Sequence, residues 1–232
     1  MIKHLTTIDS TSTYIKEHIN ELDNFDIVYA DHQTAGKGRT GHVWEDDDNQ
    51  NILMSIAIKD ADIIKEFNIL SIATGVIVLE FLKNYLSPKS ISLKWPNDVY
   101  VNGNKICGIL LEGKLPDYVI LGIGLNVNQT DFSIDNATSL SLETEYSFNL
   151  NDVRELFFNH LLNSFNKYIN NKDKYIRDFN AHSYLKGKLV SFNYRDKQAQ
   201  GIAGDINNDG SLQISIDKKT VNVFFDEVSM VR

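Results

Sequence analysis

The stretch from Lys94 to Glu112 constrains the fold more tightly than any other part of the chain. In Lys94-Trp-Pro-Asn-Asp98, Pro96 fixes its own φ and drives Trp95 towards an extended backbone, so Asn97 and Asp98 leave a strand end in a set direction. Val99-Tyr-Val101, the Asn102-Gly103 turn and the apolar run after Lys105 then read as a β-hairpin. Lys105 stands at the start of the returning strand. Taken alone, Asn97 and Asp98 also fit ordinary turn chemistry. Lys105 also fits a solvated edge-strand lysine that discourages aggregation.

Upstream, Gln33-Thr-Ala-Gly-Lys-Gly-Arg-Thr-Gly-His-Val-Trp44 interleaves Gly36, Gly38 and Gly41 with the cations Lys37 and Arg39, just before a large aromatic. Glycines let backbone N–H groups come close to a ligand. The cations supply charge for a carboxylate or phosphate, Arg39 with a planar fork suited to paired oxygens. The glycines also match G-x-G-x-x-G, but a dinucleotide site needs a helix starting right after them. Here His42-Val-Trp-Glu-Asp-Asp-Asp48 follows, with no apolar helical stripe and a carboxylate cluster that repels phosphate. A Walker loop fails as well, because Gly38 follows Lys37 where Ser or Thr is required. The segment reads as an anion-holding lid, and by itself equally as a solvated glycine loop.

Together these segments become recognisable. The glycine loop, Lys94-Trp-Pro-Asn-Asp98, Lys105 and Gly122-Ile-Gly-Leu-Asn126 resemble the biotin–protein ligases in order and spacing, and Ile8-Asp-Ser-Thr11 is similar to that family's first biotin-contacting segment. The resemblance covers nearly the whole chain. It implies an α+β fold: a mixed sheet with helices, related to class II aminoacyl-tRNA synthetases, over residues 1–186. A small SH3-like β-barrel over residues 187–232 is expected to follow.

The implied activity has two steps. Biotin's carboxylate attacks the α-phosphorus of ATP, which arrives with Mg²⁺, giving biotinyl-5′-AMP and pyrophosphate. A lysine ε-amine on a biotin carboxyl carrier protein then takes the biotinyl group and releases AMP. The resemblance assigns Ser10, Thr11 and Gln33 to biotin, and Lys37, Gly38 and Arg39 to the lid. Lys105 would lie between carboxylate and phosphate, with Lys105, Arg39 and Asp98 as the catalytic set. Trp44 would pack on the adenine, Asn126 would hydrogen-bond it or its ribose, and Asn97 and Asp98 would orient Mg²⁺–phosphate or the incoming lysine. Lys37 and His42 stand where the family commonly has arginine. The first keeps charge but loses the bidentate fork, and the second makes phosphate binding weaker or pH-dependent.

A lipoate–protein ligase is the nearest alternative, and the Trp-Pro-Asn-Asp segment with the glycine loop favours biotin. A biotin-binding or carrier-docking module without catalysis predicts erosion of Arg39 or Lys105, and both are present. A nucleotide-binding regulator lacks an effector domain. Family members that repress transcription carry an N-terminal helix-turn-helix domain. Here the matched motifs begin within the first ten residues, so a ligase-only form is expected.

Composition agrees. Carboxylates outnumber Lys and Arg, 31 to 23, with no basic stripe, so no nucleic-acid partner is expected. The lone Cys107 excludes an intrachain disulfide framework and fits a reducing, cytoplasmic setting. Within an apolar strand it reads as a buried inert thiol. No signal peptide or membrane-length apolar run is present, so no membrane partner is expected. No metal-ligand spacing occurs, and His160 and His182 read as helix-face or surface histidines. The oligomeric state stays open between monomer and weak homodimer.

Periodicity predicts a capped helix from Ser10 to Leu22, strands at Ile27–Ala30 and Ile52–Ile58, and a largely buried helix from Glu66 to Leu86, ending before Pro88. Strands Ile91–Trp95 and Tyr118–Leu125 flank the hairpin. An amphipathic helix then spans about Asp152 to Ile169, carrying Leu156, Phe157, His160, Leu161, Ser164, Phe165 and Tyr168. After Lys186 only short strands are expected, at Gly187–Tyr194, Gln198–Ile206, Ser211–Ile216 and Thr220–Phe225.

Overall fold

The computed structural model describes residues 1–168, 171–194, 197–217, 219–225 and 228–230. The hairpin forms as expected. Strand β5 (Asp98–Val101) returns as β6 (Asn104–Lys114), and Asn102 and Gly103 both adopt positive φ, 49° and 87°, as a tight primed turn requires. Around it the chain builds a seven-stranded sheet. Its strands are β1 (Ile2–Ile8), β2 (Ile27–Gln33), β3 (Asn51–Ile58), β4 (Ile91–Lys94), β5, β6 and β7 (Tyr118–Asn126), in the spatial order β1-β2-β3-β7-β6-β5-β4. Only β1 and β2 pair in parallel. They are linked by helix α1 (Thr11–Glu17) as a βαβ crossover.

Both faces of the sheet are covered. On one, α1 sets Ile15 against Val28, Ala57 and Ile120, with Leu22 beside them in a small core. On the other lies the main core. There α3 (Phe67–Leu82) is apolar around nearly its whole circumference, and so it is buried between the sheet and the helices α5 (Leu150–Tyr168) and α6 (Lys172–Ala181). The short α2 (Ala61–Ile64) is capped by Asp60, and α4 (Leu140–Thr144) by Ser139.

A second sheet takes up the C-terminal part. Strands β8 (Leu189–Tyr194), β9 (Lys197–Ile206), β10 (Leu212–Ile216), β11 (Lys219–Val223) and β12 (Val228–Met230) run in the order β11-β10-β9-β8-β12, all antiparallel. This arrangement is consistent with an SH3-like domain. Trp95 Nε1 donates to Gly210 O at 3.1 Å, tying a turn of this sheet to the end of β4.

Several expected boundaries shift. Helix α1 stops at Glu17 rather than Leu22, because His18 leaves helical geometry and is followed by turns. Helix α3 ends at Leu82, and Lys83–Leu86 continue as tighter turns before Pro88 opens a 3₁₀ turn. Leu156 is exposed, whereas Phe157, Phe158, Leu161 and Phe165 of α5 face the core. The predicted end of that helix at Ile169 lies outside the described residues. Strand β1 escaped prediction because it is a half-exposed edge whose polar residues give no apolar alternation.

Candidate active site

The site lies beside α1, at the carboxyl ends of the parallel strands. Along β7, Ile120, Gly122 and Gly124 occupy successive positions on one face. Ile120 packs under α1, but the two glycines leave the sheet bare beyond it. Gly108 pairs with Gly124 across β6 and extends the bare floor. The resulting cleft encloses about 500 Å³ including its open mouth, within the range of small-ligand sites. Among the residues that line it are Ser10, Thr11, Gln33, Lys37, Gly38, Arg39, Trp44, Asn97 and Lys105. Nine of the eleven positions expected from sequence therefore meet in one place.

One end of the cleft is a hydroxyl–amide cluster. Gln33 Oε1 accepts from Thr11 N at 2.7 Å and from Thr11 Oγ1 at 3.1 Å, and Thr11 Oγ1 lies 2.8 Å from Ser55 Oγ. Ser10 sits at the helix N-cap, yet its hydroxyl does not cap the helix. It lies 3.0 Å from Ser12 Oγ instead. Ser12 and Ser55 were not expected here. The signal for Ser55 was a single hydroxyl within the otherwise apolar run Ile52–Ile58.

The other end is cationic. Lys105 Nζ lies 2.7 Å from Asp98 Oδ1 and 5.3 Å from the centre of the Trp44 ring. The backbone of Lys105 is fixed by the segment after β7, since its N–H donates to Asn136 O and its carbonyl accepts from Thr138 N, each at 2.9 Å. Arg39 reaches across the mouth. Its Nη2 donates to Phe225 O at 2.6 Å, and its guanidinium lies 5.5 Å from the centre of the Phe225 ring. Asn97 is held by Ile109 O, which its Nδ2 meets at 2.6 Å.

The glycine loop doubles back on itself as a narrow ribbon. Lys37 bridges Val43, Trp44 N donates to Gly36 O, and a 3₁₀ turn, Arg39–Gly41, forms the tip. The ribbon lays the Trp44 indole flat on the glycine floor. A Cβ on Gly124 would collide with Trp44 Cε2, and one on Gly108 would stand 2.6 Å from Cζ3.

Two expected contacts lie elsewhere. Asn126 is buried at 3% exposure and donates through Nδ2 to Thr138 O at 2.9 Å, so it shapes the segment over the cleft rather than lining it. Asp98 also lies behind the lining and reaches the site only through Lys105. His42 is exposed and off the lining, which makes its departure from arginine peripheral. Cys107 is buried, and burial pushes its thiol far above the usual range. Among the described residues no group of His, Cys, Asp and Glu is placed to hold a metal ion, and no helix is long and apolar enough to cross a membrane.

Residues 5–126 match the model of the Biotin/lipoate A/B protein ligase family. The Biotin–[acetyl-CoA-carboxylase] ligase of Mycobacterium tuberculosis is 32% identical over 211 residues, 89% of this chain and 79% of that protein. The bifunctional ligase/repressor BirA of Escherichia coli is 34% identical over 127 residues, but the match spans only 53% of this chain and 39% of that longer protein. In fold, the chain is similar to the biotin protein ligase from Aquifex aeolicus solved in complex with biotin and ATP. The TM-score is 0.82 at 24% identity, covering 100% of this chain and 98% of that one.

Proposed function

The chain belongs to the Biotin/lipoate A/B protein ligase family, and we infer that it is a biotin–protein ligase. It activates biotin with ATP and transfers it to protein. In the first step a carboxylate oxygen of biotin attacks the α-phosphorus, and pyrophosphate leaves with the electrons of the broken P–O bond. In the second, an amine nitrogen attacks the acyl carbon of biotinyl-5′-AMP, AMP departs, and the nitrogen loses a proton.

The observation that carries the reading is one cleft holding a hydroxyl–amide cluster at one end and Lys37, Arg39 and Lys105 around the other. In this reading Ser10, Thr11 and Gln33 take the polar ring of biotin, with Ser55 beside them. Lys105 stands where carboxylate and phosphate meet, so its attraction is strongest as the two anions are brought together. Asp98 aims the Lys105 ammonium, and Lys37, Gly38 and Arg39 close over the adenylate. Trp44 moves from the glycine floor to stack on the adenine. Asn126 acts through the Thr138 segment, and Asn97 orients phosphate or the acceptor amine. Mg²⁺ enters as part of the nucleotide substrate, held mainly by phosphate oxygens.

The acceptor is a lysine of a biotin carboxyl carrier protein, in the cytoplasm. Residues 1–186 form the catalytic unit and 187–232 a smaller second one. Incubation with ATP and either biotin or lipoate, with the acyl-adenylate identified by mass, tests the assignment. Biotinyl-AMP is expected, and lipoyl-AMP alone would transfer the chain to the lipoate branch.

A further inference from the structure

The lid is closed at its base by a titratable pair. His32 Nδ1 lies 3.0 Å from Asp46 Oδ2. His32 immediately precedes Gln33, and Asp46 immediately follows Glu45, so this contact joins the two ends of the glycine-rich ribbon. Asp46 is the inward-turned member of Glu45-Asp-Asp-Asp48. Its side chain is 1% exposed, while Glu45, Asp47 and Asp48 face solvent. The backbone N–H of Gln33 also reaches the Asp46 carboxylate. That places Asp46 one residue's backbone away from the amide that holds Thr11.

A second tie lies beside the first. Arg154 of α5, itself buried, donates through Nη2 to Asp31 Oδ1 at 3.0 Å and to Asn49 Oδ1 at 3.1 Å. Asn49 N donates in turn to Asp31 O at 2.9 Å. The residues entering and leaving the lid are thus gripped twice, although the lid itself is glycine-rich and lightly packed.

The Asp46 carboxylate costs stability where it sits. Burial raises its pKa, and the His32 hydrogen bond and the Gln33 N–H only partly pull it back. An acid with a raised folded pKa stabilises the fold below its unfolded pKa, and that contribution is lost as pH rises through the folded value. At neutral pH the ionised Asp46 therefore subtracts from stability. A nearly buried carboxylate that joins the two ends of the glycine-rich ribbon, touching His32 and the Gln33 N–H, is placed to set the geometry of that ribbon.

We propose that Asp46 is a positioning residue for the ligase reaction: through His32 and Gln33 it pins the base of the lid, so that Gln33, Lys37 and Arg39 meet biotin and phosphate in a fixed geometry. The inference rests on the ligase reading. It is tested with Asp46→Ala, Asp46→Asn, His32→Ala and the Asp46→Ala/His32→Ala double variant, against wild type. Biotin-dependent pyrophosphate release and retention of biotinyl-AMP are measured beside Tm.

Asp46→Ala should raise the KM for biotin and the rate of adenylate escape by about tenfold or more, the scale expected for displaced binding groups, while kcat changes less. Asp46→Asn should lose part of this retention and yet melt no lower than wild type at neutral pH. The double variant should be no worse than Asp46→Ala, because both changes break one clasp. A lower Tm with unchanged KM and adenylate retention would assign Asp46 to the fold alone and overturn the proposal. A wild-type protein that forms no biotinyl-AMP would instead bring down the ligase reading, and this one with it.

Discussion

Lys105 Nζ and Asp98 Oδ1 lie 2.7 Å apart across the β5–β6 hairpin, and the two side chains are about one-fifth exposed. The carboxylate aims the ammonium without neutralising the cleft, where Lys37 and Arg39 also stand. Because the attraction between Lys105 and two converging anions peaks in the transition state, Lys105→Ala should slow adenylate formation by ~10²–10³ while weakening nucleotide binding much less. Single-turnover pyrophosphate release measures the first and equilibrium ATP titration the second. Release at a near wild-type rate would reduce Lys105 to an edge-strand lysine.

Gly124→Ala tests the floor of the cleft. An added methyl at this position meets the Trp44 indole and flanks the space for a flat ligand ring. Overpacking of this kind costs about 1–3 kcal/mol, and the loss should fall on ligand affinity because the cleft is open. Biotin titration calorimetry should show weaker binding with a nearly unchanged Tm. Unchanged affinity would mean that the bound ligand does not use the glycine platform.

The hairpin, the glycine-rich loop and the place of Lys105 at the cleft were legible because their chemistry is local. Asn102-Gly103 fixes a turn by backbone sterics, and glycines alternating with cations advertise a loop for anions. Ser55, Gly108 and Gly122 were not assigned, since their roles depend on register. Only when Ser55 pairs with Gly122, and Gly108 with Gly124, does a polar edge meet a bare floor. Gly122-Ile-Gly124 did hold a readable hint, because glycines two apart on a strand strip one face of side chains. Asn126 is a case where sequence is silent on direction. Its place in a motif says nothing of direction, and its amide turns to Thr138. Helix α6 was missed because its apolar set, Tyr175, Ile176 and Phe179, is short and set among charges.

Cys107 should be chemically silent. Burial dominates the upward shift of its thiol, with Asp98 adding to it and Lys105 opposing it. The folded chain therefore keeps the thiol proton well beyond the ordinary cysteine range of roughly 8.5, and the thiolate is the reactive form. Iodoacetamide at mildly alkaline pH should label the protein only in denaturant, as followed by mass. Rapid stoichiometric labelling of the native protein would show that β6 opens far more readily than its burial allows.

Arg39→Gly addresses how the lid is held. The sequence suggests a loop ordered by its ligand, but Arg39 already has an anchor at Phe225, through the backbone carbonyl and the ring. Phe225 in turn stacks near Phe67 at the start of α3, with ring centroids 5.9 Å apart. Removing the guanidinium loses both this anchor and the cation facing the adenylate, while the buried core is untouched. The fold should therefore survive with a near-normal Tm, while biotinyl-AMP escapes and acylates exposed lysines of bystander proteins. Streptavidin blots of an added unrelated protein, beside adenylate dissociation rates, report both effects. If Arg39→Gly retains the intermediate as tightly as wild type, Arg39 is only a tether between the loop and the second sheet, and the lid must hold its anion through Lys37 and backbone N–H groups.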